Sequence, residues 1–329
     1  MLELDDWGFI DNWITADVNL PLDTITWRPN YSVIDLDKLE LTPNNFKQYR
    51  ITAARRTADR LGSRIVLAVS GGVDSQAMIQ SFVEAGVDIE LAHLTFKHGY
   101  NDHDTEFAVS TAGRFNLPLN LVELDVLPFL HHRLDEYADR YQCSSPQFAC
   151  HHWLYEQLIE QGYTGIVAGG DYWTPTVDSW SWPITGPRQS WLTFGSKNNF
   201  PIMGNFLAST WQLNLALACC HRRNSWFKQD KNIDHVGELS RITIKERYPE
   251  KLEAYHRFGF NVEPQANKFT GFEKVKDYFT SATGDPWSFE KRFRWPLEHR
   301  WKGLEPSLKL DIAFLDQLNS LYNQYVASW

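Results

Sequence analysis

The chain has 329 residues, of which 43% are hydrophobic and 22% charged. This length provides a sizeable core in one large domain or two ordinary ones, and the composition excludes rod-like and disordered chains. Lys and Arg number 32 against 41 Asp and Glu, giving a net charge of -9. We therefore expect no broad nucleic-acid surface, although a local basic patch stays open.

The N-terminus is acidic and no apolar run reaches the roughly 18 residues that a membrane helix needs. We expect a cytoplasmic protein without a membrane partner. Residues 1–44 are interrupted by prolines and predict an extended N-terminal arm. A helix follows from Asn45 to Gly62, and then an apolar strand over Ile65–Val69. The strand leads directly into a glycine turn and a helix that ends at Gly86.

Strands and helices then alternate. We predict a strand at Ile89–Phe96, a helix at Asp102–Phe115, a strand at Leu119–Leu124, a helix at Pro146–Glu160 and a strand at Gly165–Ala168. Helices of 10–15 residues between strands indicate right-handed crossovers. The predicted fold class is therefore α/β, with a doubly wound parallel sheet covered by helices on both faces.

The alternation stops after Tyr172, where residues 172–203 are rich in Trp, Pro, Ser and Gly. We predict a boundary near 175 between an α/β domain, 45–175, and a mostly helical, loop-rich C-terminal region, 176–329. Helices are expected there at Asn205–Cys220, Ile233–Arg247 and Leu308–Val326. The C-terminal region is expected to cover the carboxyl edge of the sheet and to select the substrate that binds there, with Trp173, Trp180, Trp182 and Trp191 as a roof that excludes water.

The turn Ser70–Ser75, with sequence SGGVDS, lies between a buried strand and a helix. Backbone amides at a helix N-terminus favour an anion, so a phosphate suits this place. The turn lacks the Gly-Lys-Ser/Thr of a Walker A loop and the spacing of a dinucleotide fingerprint. Asp74 would repel phosphates unless a divalent metal accompanies them.

These residues match the S-G-G-x-D-S signature, and the chain resembles the PP-loop ATP pyrophosphatases over roughly residues 45–175. The resemblance includes the strand Ile89–Phe96 and the later segment IVAGGD, which is similar to the family's second glycine-acid motif. It implies a Rossmann-like PP-loop fold that uses ATP and Mg²⁺. A substrate oxygen would attack the α-phosphorus, pyrophosphate would leave, and a nucleophile would displace AMP from the adenylate.

The resemblance also assigns roles by position. The phosphate-binding turn would comprise Ser70, Gly71, Gly72 and Ser75. Asp74 and Asp171 would hold Mg²⁺ and act in catalysis. The adenine pocket would be lined by His93, Leu94, Thr95 and Phe96. Gly169 and Gly170 would form the second nucleotide-binding turn, and Lys97, directly after the second strand, is a candidate catalytic residue.

Several alternatives stay open. The acceptor is a small molecule or a nucleobase, and the nucleophile is external ammonia, an amine or sulfide. A rival hypothesis is an ATP- or AMP-binding sensor without turnover, and another is a base-modifying enzyme that thiolates or amidates nucleic acid. The aromatic and basic segment 285–303 suits nucleic acid, which the acidic chain does not favour. The phosphate-neutralising cation is not identified, with candidates Arg188, Lys197, Arg222, Arg223 and Lys228.

Four cysteines, Cys143, Cys150, Cys219 and Cys220, lie close to histidines in the sequence. Their spacing matches no common zinc signature, so we expect buried free thiols. A metal or sulfur-carrying role remains the alternative.

Overall fold

The structure is a computed structural model, and it describes residues 14–16, 27–29, 32–170, 181–183, 187–220, 251–264, 271–301, 307–309 and 312–327. Its strands are β1 (Ile14–Ala16), β2 (Trp27–Pro29), β3 (Ile65–Ala68), β4 (Ile89–Phe96), β5 (Leu119–Leu124), β6 (Gly165–Ala168), β7 (Ser181–Pro183), β8 (Ile202–Met203) and β9 (Ser307–Lys309).

Twelve helices follow in chain order among these residues. They are α1 (Pro43–Leu61), α2 (Val73–Ala85), α3 (Asp102–Phe115), α4 (Val126–His132), α5 (Leu134–Tyr141), α6 (Pro146–Glu160), α7 (Pro187–Asn198), α8 (Trp211–Cys220), α9 (251–257), α10 (Glu273–Thr283), α11 (Trp295–Trp301) and α12 (Ile312–Ala327). A π-helical turn, Glu290–Arg294, leads directly into α11.

The central sheet has five parallel strands in the order β5-β4-β3-β6-β8. The chain runs outward from β3 to β5, then returns to the other side of β3 through β6 and β8. This order makes the sheet doubly wound, with its topological switch point between β3 and β6. The predicted α/β fold class is confirmed.

Local signals fix the helix ends. Thr42 caps α1 by accepting a hydrogen bond from the Asn45 amide at 3.4 Å, and Ser145 caps α6 in the same way. Each cap is followed by a proline, whose fixed φ suits the first helical position. At its other end α2 stops at Gly86, which has a left-handed φ of 69°. These signals are readable from sequence, which is why the predicted elements agree closely with the structure.

Alternating side chains of the strands divide the core in two. Ile65 and Leu67 of β3 point into a cluster with α1, α2, α8, residues 254–262 and α12. Val66 points to the opposite face, into a cluster with α4, α5, α6, α10 and residues 289–297. Helices therefore cover both faces of the sheet, as parallel strands require. No helix among the described residues has the length and apolar character to cross a membrane.

Some elements differ from the sequence-based expectations. The short helices α4 and α5 were not predicted, because seven or eight residues carry too few turns for a clear period. The sheet takes its fifth strand, β8, from beyond residue 175. The last helix begins at Ile312 instead of Leu308, because Ser307–Lys309 pairs with β7 in an antiparallel ladder. The predicted helix over Ile233–Arg247 lies outside the described residues.

A buried arginine ties three segments of the fold together. Arg50 of α1 makes two hydrogen bonds of 2.9 Å to Glu84 of α2. Its remaining terminal nitrogen donates to the carbonyls of Phe258 and Gly259, each at 3.2 Å. Phe258 also stacks on Phe46 of α1, with ring centroids 4.7 Å apart. Arg50 therefore fixes the segment after α9 against the α1–α2 pair.

We predict that Arg50→Ala lowers the free energy of unfolding by about 3 kcal/mol, because Glu84 and two carbonyls lose their buried partner. Urea denaturation measures this change. The matched control is Lys47→Ala on the exposed face of α1, which should stay within about 0.5 kcal/mol of the wild type. Equal stability of the two variants would show that the Arg50 network contributes nothing.

Candidate functional site

A pocket of about 320 Å³ opens where β3, β4 and β6 end. This position is the switch point of the sheet, where ligands of doubly wound folds bind. The pocket is lined by Ala68, Val69, Ser70, Asp74, Ser75, His93, Leu94, Phe96, Asn101, Asp104, Gln147, Phe148, His151, Leu154, Tyr155, Ala168, Gly169, Gly170, Trp191, Gly271 and Phe272. Eight of the sequence-predicted site residues are in this set, namely Ser70, Asp74, Ser75, His93, Leu94, Phe96, Gly169 and Gly170.

The glycine turn is rigid. The Ser70 amide donates to the Ser75 hydroxyl at 3.1 Å, which closes the turn on itself. Gly71 has φ of +73°, and a Cβ there would lie 2.5 Å from the carbonyl carbon of Phe107 in α3. Gly72 has φ of -66° and forms the N-cap of α2, so the left-handed position is Gly71. The turn therefore needs glycine at position 71 for both its conformation and its packing.

The second glycine turn follows β6. The Gly169 carbonyl accepts a hydrogen bond from the Phe206 amide at 3.0 Å. Gly170 has φ of +78°, and a Cβ there would lie 2.8 Å from the Asn205 carboxamide. The segment between β8 and α8 therefore packs directly on this turn.

The predicted adenine residues occupy the end of β4, which extends beyond β3. Here the side chain of Asn101 donates to the Leu94 carbonyl at 2.7 Å and accepts from the Phe96 amide at 2.6 Å. His93 bonds the Val69 carbonyl at 2.8 Å. The Thr95 hydroxyl turns away from the pocket and donates to the Val122 carbonyl of β5. Asn101 was not singled out from the sequence. Its side chain satisfies backbone groups of two residues that were predicted to line the adenine pocket.

Aromatic rings form the walls of the pocket. Phe272 packs edge-on against Phe96, with ring centroids 5.1 Å apart. Phe148 and Tyr155 come from α6, and Trp191 comes from α7. Trp191 is the one predicted roof tryptophan whose side chain is described, and it lines the pocket. Trp173 and Trp180 lie outside the described residues, as does the side chain of Trp182.

Asp74 has two partners that were not predicted from the sequence. The Lys251 ammonium of α9 lies 2.8 Å from one carboxylate oxygen and 2.9 Å from the other. Tyr255, one turn further along α9, donates its hydroxyl to the same carboxylate. Asp171, the other predicted metal ligand, lies outside the described residues.

This arrangement does not fit a divalent metal on Asp74. Mg²⁺ requires oxygen ligands at 2.0–2.1 Å in near-octahedral geometry. An ammonium ion within hydrogen-bonding distance of both carboxylate oxygens occupies the same space and already neutralises the charge. Among the residues that the structure describes, no group of three or more His, Cys, Asp or Glu side chains is arranged to hold a metal ion. We therefore derive no chemical step through Mg²⁺.

Two of the remaining candidate cations, Lys97 and Lys197, are not among the residues that line the pocket. Lys97 is exposed on a 3-10 turn after β4, and Lys197 is exposed near the end of α7. The side chains of Arg188, Arg222, Arg223 and Lys228 lie outside the described residues. The predicted catalytic role of Lys97 stays a prediction without a contact to support it.

The four cysteines are buried as free thiols. Burial raises the pKa of the Cys220 thiol to about 12 and also raises the pKa of the Cys143 and Cys150 thiols. A protonated, inaccessible thiol is a poor nucleophile and a poor metal ligand. The expectation of buried free thiols is confirmed.

Comparison with known proteins gives a partial sequence match and distant structural similarities. No family model matches the chain. Over 103 residues the chain is 30% identical to the tRNA-5-methyluridine(54) 2-sulfurtransferase of Pyrococcus horikoshii, a match that covers 30% of this chain and 33% of that protein. The resemblance to the PP-loop ATP pyrophosphatases is confirmed. The chain thus matches only about a third of its curated relative's length.

Two solved structures are similar to the chain at a low level. The NMN synthetase of Francisella tularensis is 11% identical, with a TM-score of 0.38, over 87% of this chain and 94% of that one. The U34-tRNA thiolase of Methanococcus maripaludis, solved with its [4Fe-4S] cluster, is 13% identical, with a TM-score of 0.34, over 80% and 82% of the two chains. Similarities at this level carry no argument about substrate.

We predict that Gly71→Ala in the glycine turn lowers the free energy of unfolding by more than about 3 kcal/mol, because a Cβ meets the backbone of α3. The matched control is Gly86→Ala, since Gly86 has φ of +69° and nothing within 4 Å of an added Cβ. That variant should lose only about 1–2 kcal/mol through its left-handed φ. Thermal and urea denaturation separate the two effects, and equal losses would contradict a close contact at Gly71.

A second prediction concerns His151 in the pocket wall. Burial, and then the neighbouring His93, lower the pKa of His151 from 6.5 to about 4. Because the unfolded chain binds the proton more readily, His151 stabilises the fold above pH 6.5 and loses that contribution as the pH falls towards 4. The loss should be on the order of 2 kcal/mol.

The measurement is the free energy of unfolding between pH 4 and pH 7. His151→Gln should flatten this profile by that amount, whereas the exposed His299→Gln should keep the wild-type profile. An unchanged slope in His151→Gln would mean that His151 titrates normally in the folded protein.

Proposed function

We propose that this pocket binds ATP and that the chain transfers the adenylyl group to an acceptor oxygen. The acceptor oxygen bonds to the α-phosphorus as the bond from that phosphorus to the bridging oxygen breaks, and pyrophosphate leaves. A nucleophile then attacks the activated carbon, and AMP departs with the acceptor oxygen. These steps define an ATP pyrophosphatase of the adenylate-forming type.

The observation that carries the proposal is the glycine turn at the switch point. The turn lies at the N-terminus of α2, where backbone amides and the helix dipole favour an anion. It opens into a pocket whose lining also includes the aromatic rings of Phe96, Phe148, Tyr155, Trp191 and Phe272, which suit a planar base. An anionic end and a planar end in one pocket support a nucleotide ligand.

The chain's own residues supply binding and exclusion of water. Ser70 and Ser75 offer hydroxyls at the phosphate end, next to Asp74 with its lysine. Trp191, Phe148 and Tyr155 make the opposite wall apolar, which protects a hydrolysable adenylate. Because the four described thiols are buried and protonated, we infer that a sulfur or nitrogen nucleophile comes from outside the chain.

A tRNA base is the second candidate acceptor, favoured by the 103-residue similarity to a tRNA sulfurtransferase. One surface feature supports it. Trp287 and Trp295 stack on each other with centroids 6.1 Å apart, and they remain 40% and 42% exposed. The nearby cations are already paired, Lys291 with Asp285 at 2.8 Å and Arg294 with Glu298 at 2.6 Å. Ion pairs between exposed side chains are weak, so these cations can exchange their carboxylate partners for the phosphates of a tRNA.

We expect the purified chain to convert α-labelled ATP to AMP, with pyrophosphate released, when the right acceptor is present. Separate reactions would contain small carboxylates or unmodified tRNA, each with ammonium, an amine or sulfide. Products that consist only of ADP and phosphate would contradict adenylyl transfer. Tight ATP binding with no product from either acceptor class would favour the sensor hypothesis instead.

A further inference from the structure

The pair of Asp74 and Lys251 joins the first turn of α2 to a residue 177 positions later in the chain. Lys251 and Tyr255 are four residues apart, so they lie on the same face of α9. Both side chains converge on one carboxylate, and Tyr255 is fully buried. The lysine side chain is only 16% exposed, whereas Asp74, which lines the pocket, is 31% exposed. The ammonium is thus held within hydrogen-bonding distance of a carboxylate of the pocket lining.

The segment that carries Lys251 is fixed independently of this ion pair. Gln76, two residues after Asp74, donates to the Glu263 carbonyl at 3.1 Å and accepts from the Glu263 amide at 2.8 Å. Arg50 holds the carbonyls of Phe258 and Gly259, as described above. The lysine is therefore positioned before any ligand arrives, which reduces the entropic cost of using it.

We propose that Lys251 is the phosphate-neutralising cation of this pocket, and that Asp74 and Tyr255 position its ammonium. This inference rests on the proposed function. It replaces the prediction that Asp74 binds Mg²⁺, because the ammonium contacts both oxygens of that carboxylate. A compact, three-donor ammonium suits a phosphate group, and it is worth more in a partly desolvated site than on the surface. Lys251 is a binding residue, and Asp74 and Tyr255 are positioning residues.

The test compares two ligands that differ only in their outer phosphates. Calorimetric titration measures the Kd of α,β-methylene-ATP and of AMP with Mg²⁺ present. For Lys251→Gln we expect at least a 30-fold weaker Kd for the ATP analogue and less than a 3-fold change for AMP. The charge-matched control is Lys274→Gln, since Lys274 is half-exposed and bonds the Gly99 carbonyl. That variant should bind both ligands as the wild type does.

Two further variants keep the test decisive. Lys251→Arg retains the charge and should restore the analogue's affinity to within about 5-fold of the wild type, even if Lys251→Gln folds poorly. Tyr255→Phe removes one partner of Asp74. It should weaken binding of the ATP analogue by a smaller factor, about 3-fold, without changing the Kd of AMP. A circular-dichroism melt of each variant confirms the fold.

Asp74→Asn is expected to weaken binding of the analogue whether Asp74 holds a lysine or a metal, so this variant does not distinguish between the two arrangements. An unchanged Kd for the analogue in Lys251→Gln overturns the proposal. An equal loss of analogue and AMP affinity also overturns it, because the effect would then be structural. If the wild type binds neither ligand, the proposed function itself is wrong, which is a different result from a wild type that binds both.

Discussion

The carboxylate of Asp74 connects the glycine turn to Lys251, 177 positions later in the chain. Its bonds to Lys251 and Tyr255 bring α9 against the first turn of α2, beside the hydrogen bonds between Gln76 and Glu263. Among the described residues, the proposed phosphate end of the pocket would otherwise consist of the turn and the helix N-terminus. With this contact a fixed cation lies beside Asp74, and the proposed anion-binding end is built from two distant parts of the sequence.

The turn beneath this contact has little freedom. Gly71 packs against the backbone of α3, and the serine pair at positions 70 and 75 closes the loop from within. A rigid phosphate site costs little reorganisation when a charged ligand binds, which is how electrostatic stabilisation becomes effective. Only the four residues 69–72 connect β3 to α2.

The other end of the pocket follows a different principle. β4 runs past the end of β3, so its last backbone groups have no strand partner on that side. The carboxamide of Asn101 satisfies them by donating to the Leu94 carbonyl and accepting from the Phe96 amide. Around it, Phe96 and Phe272 meet edge to face, and His93 bonds the carbonyl of Val69. The last backbone groups of β4 are therefore satisfied within the protein at this end, and its aromatic rings contrast with the ion pair at Asp74.

Sequence alone determined the alternation of strands and helices from β3 to β6, because apolar periodicity, caps and glycine stops are local signals. It also located the glycine turn and placed it at the carboxyl end of a strand. Eight of the residues that line the pocket could therefore be named from the sequence. Sequence analysis did not predict the short helices α4 and α5 or the two-residue strand β8, because elements of that length depend on tertiary packing.

Only the tertiary structure decided which residues share the pocket. Lys251 looked like any other surface lysine, since no local pattern relates it to Asp74 across 177 residues. Asn101 was not singled out from the sequence, and Trp191 was predicted only as one of four tryptophans of a roof. Sequence signals report the conformation of neighbouring residues, whereas the partners of a side chain depend on how separate segments pack around a common core.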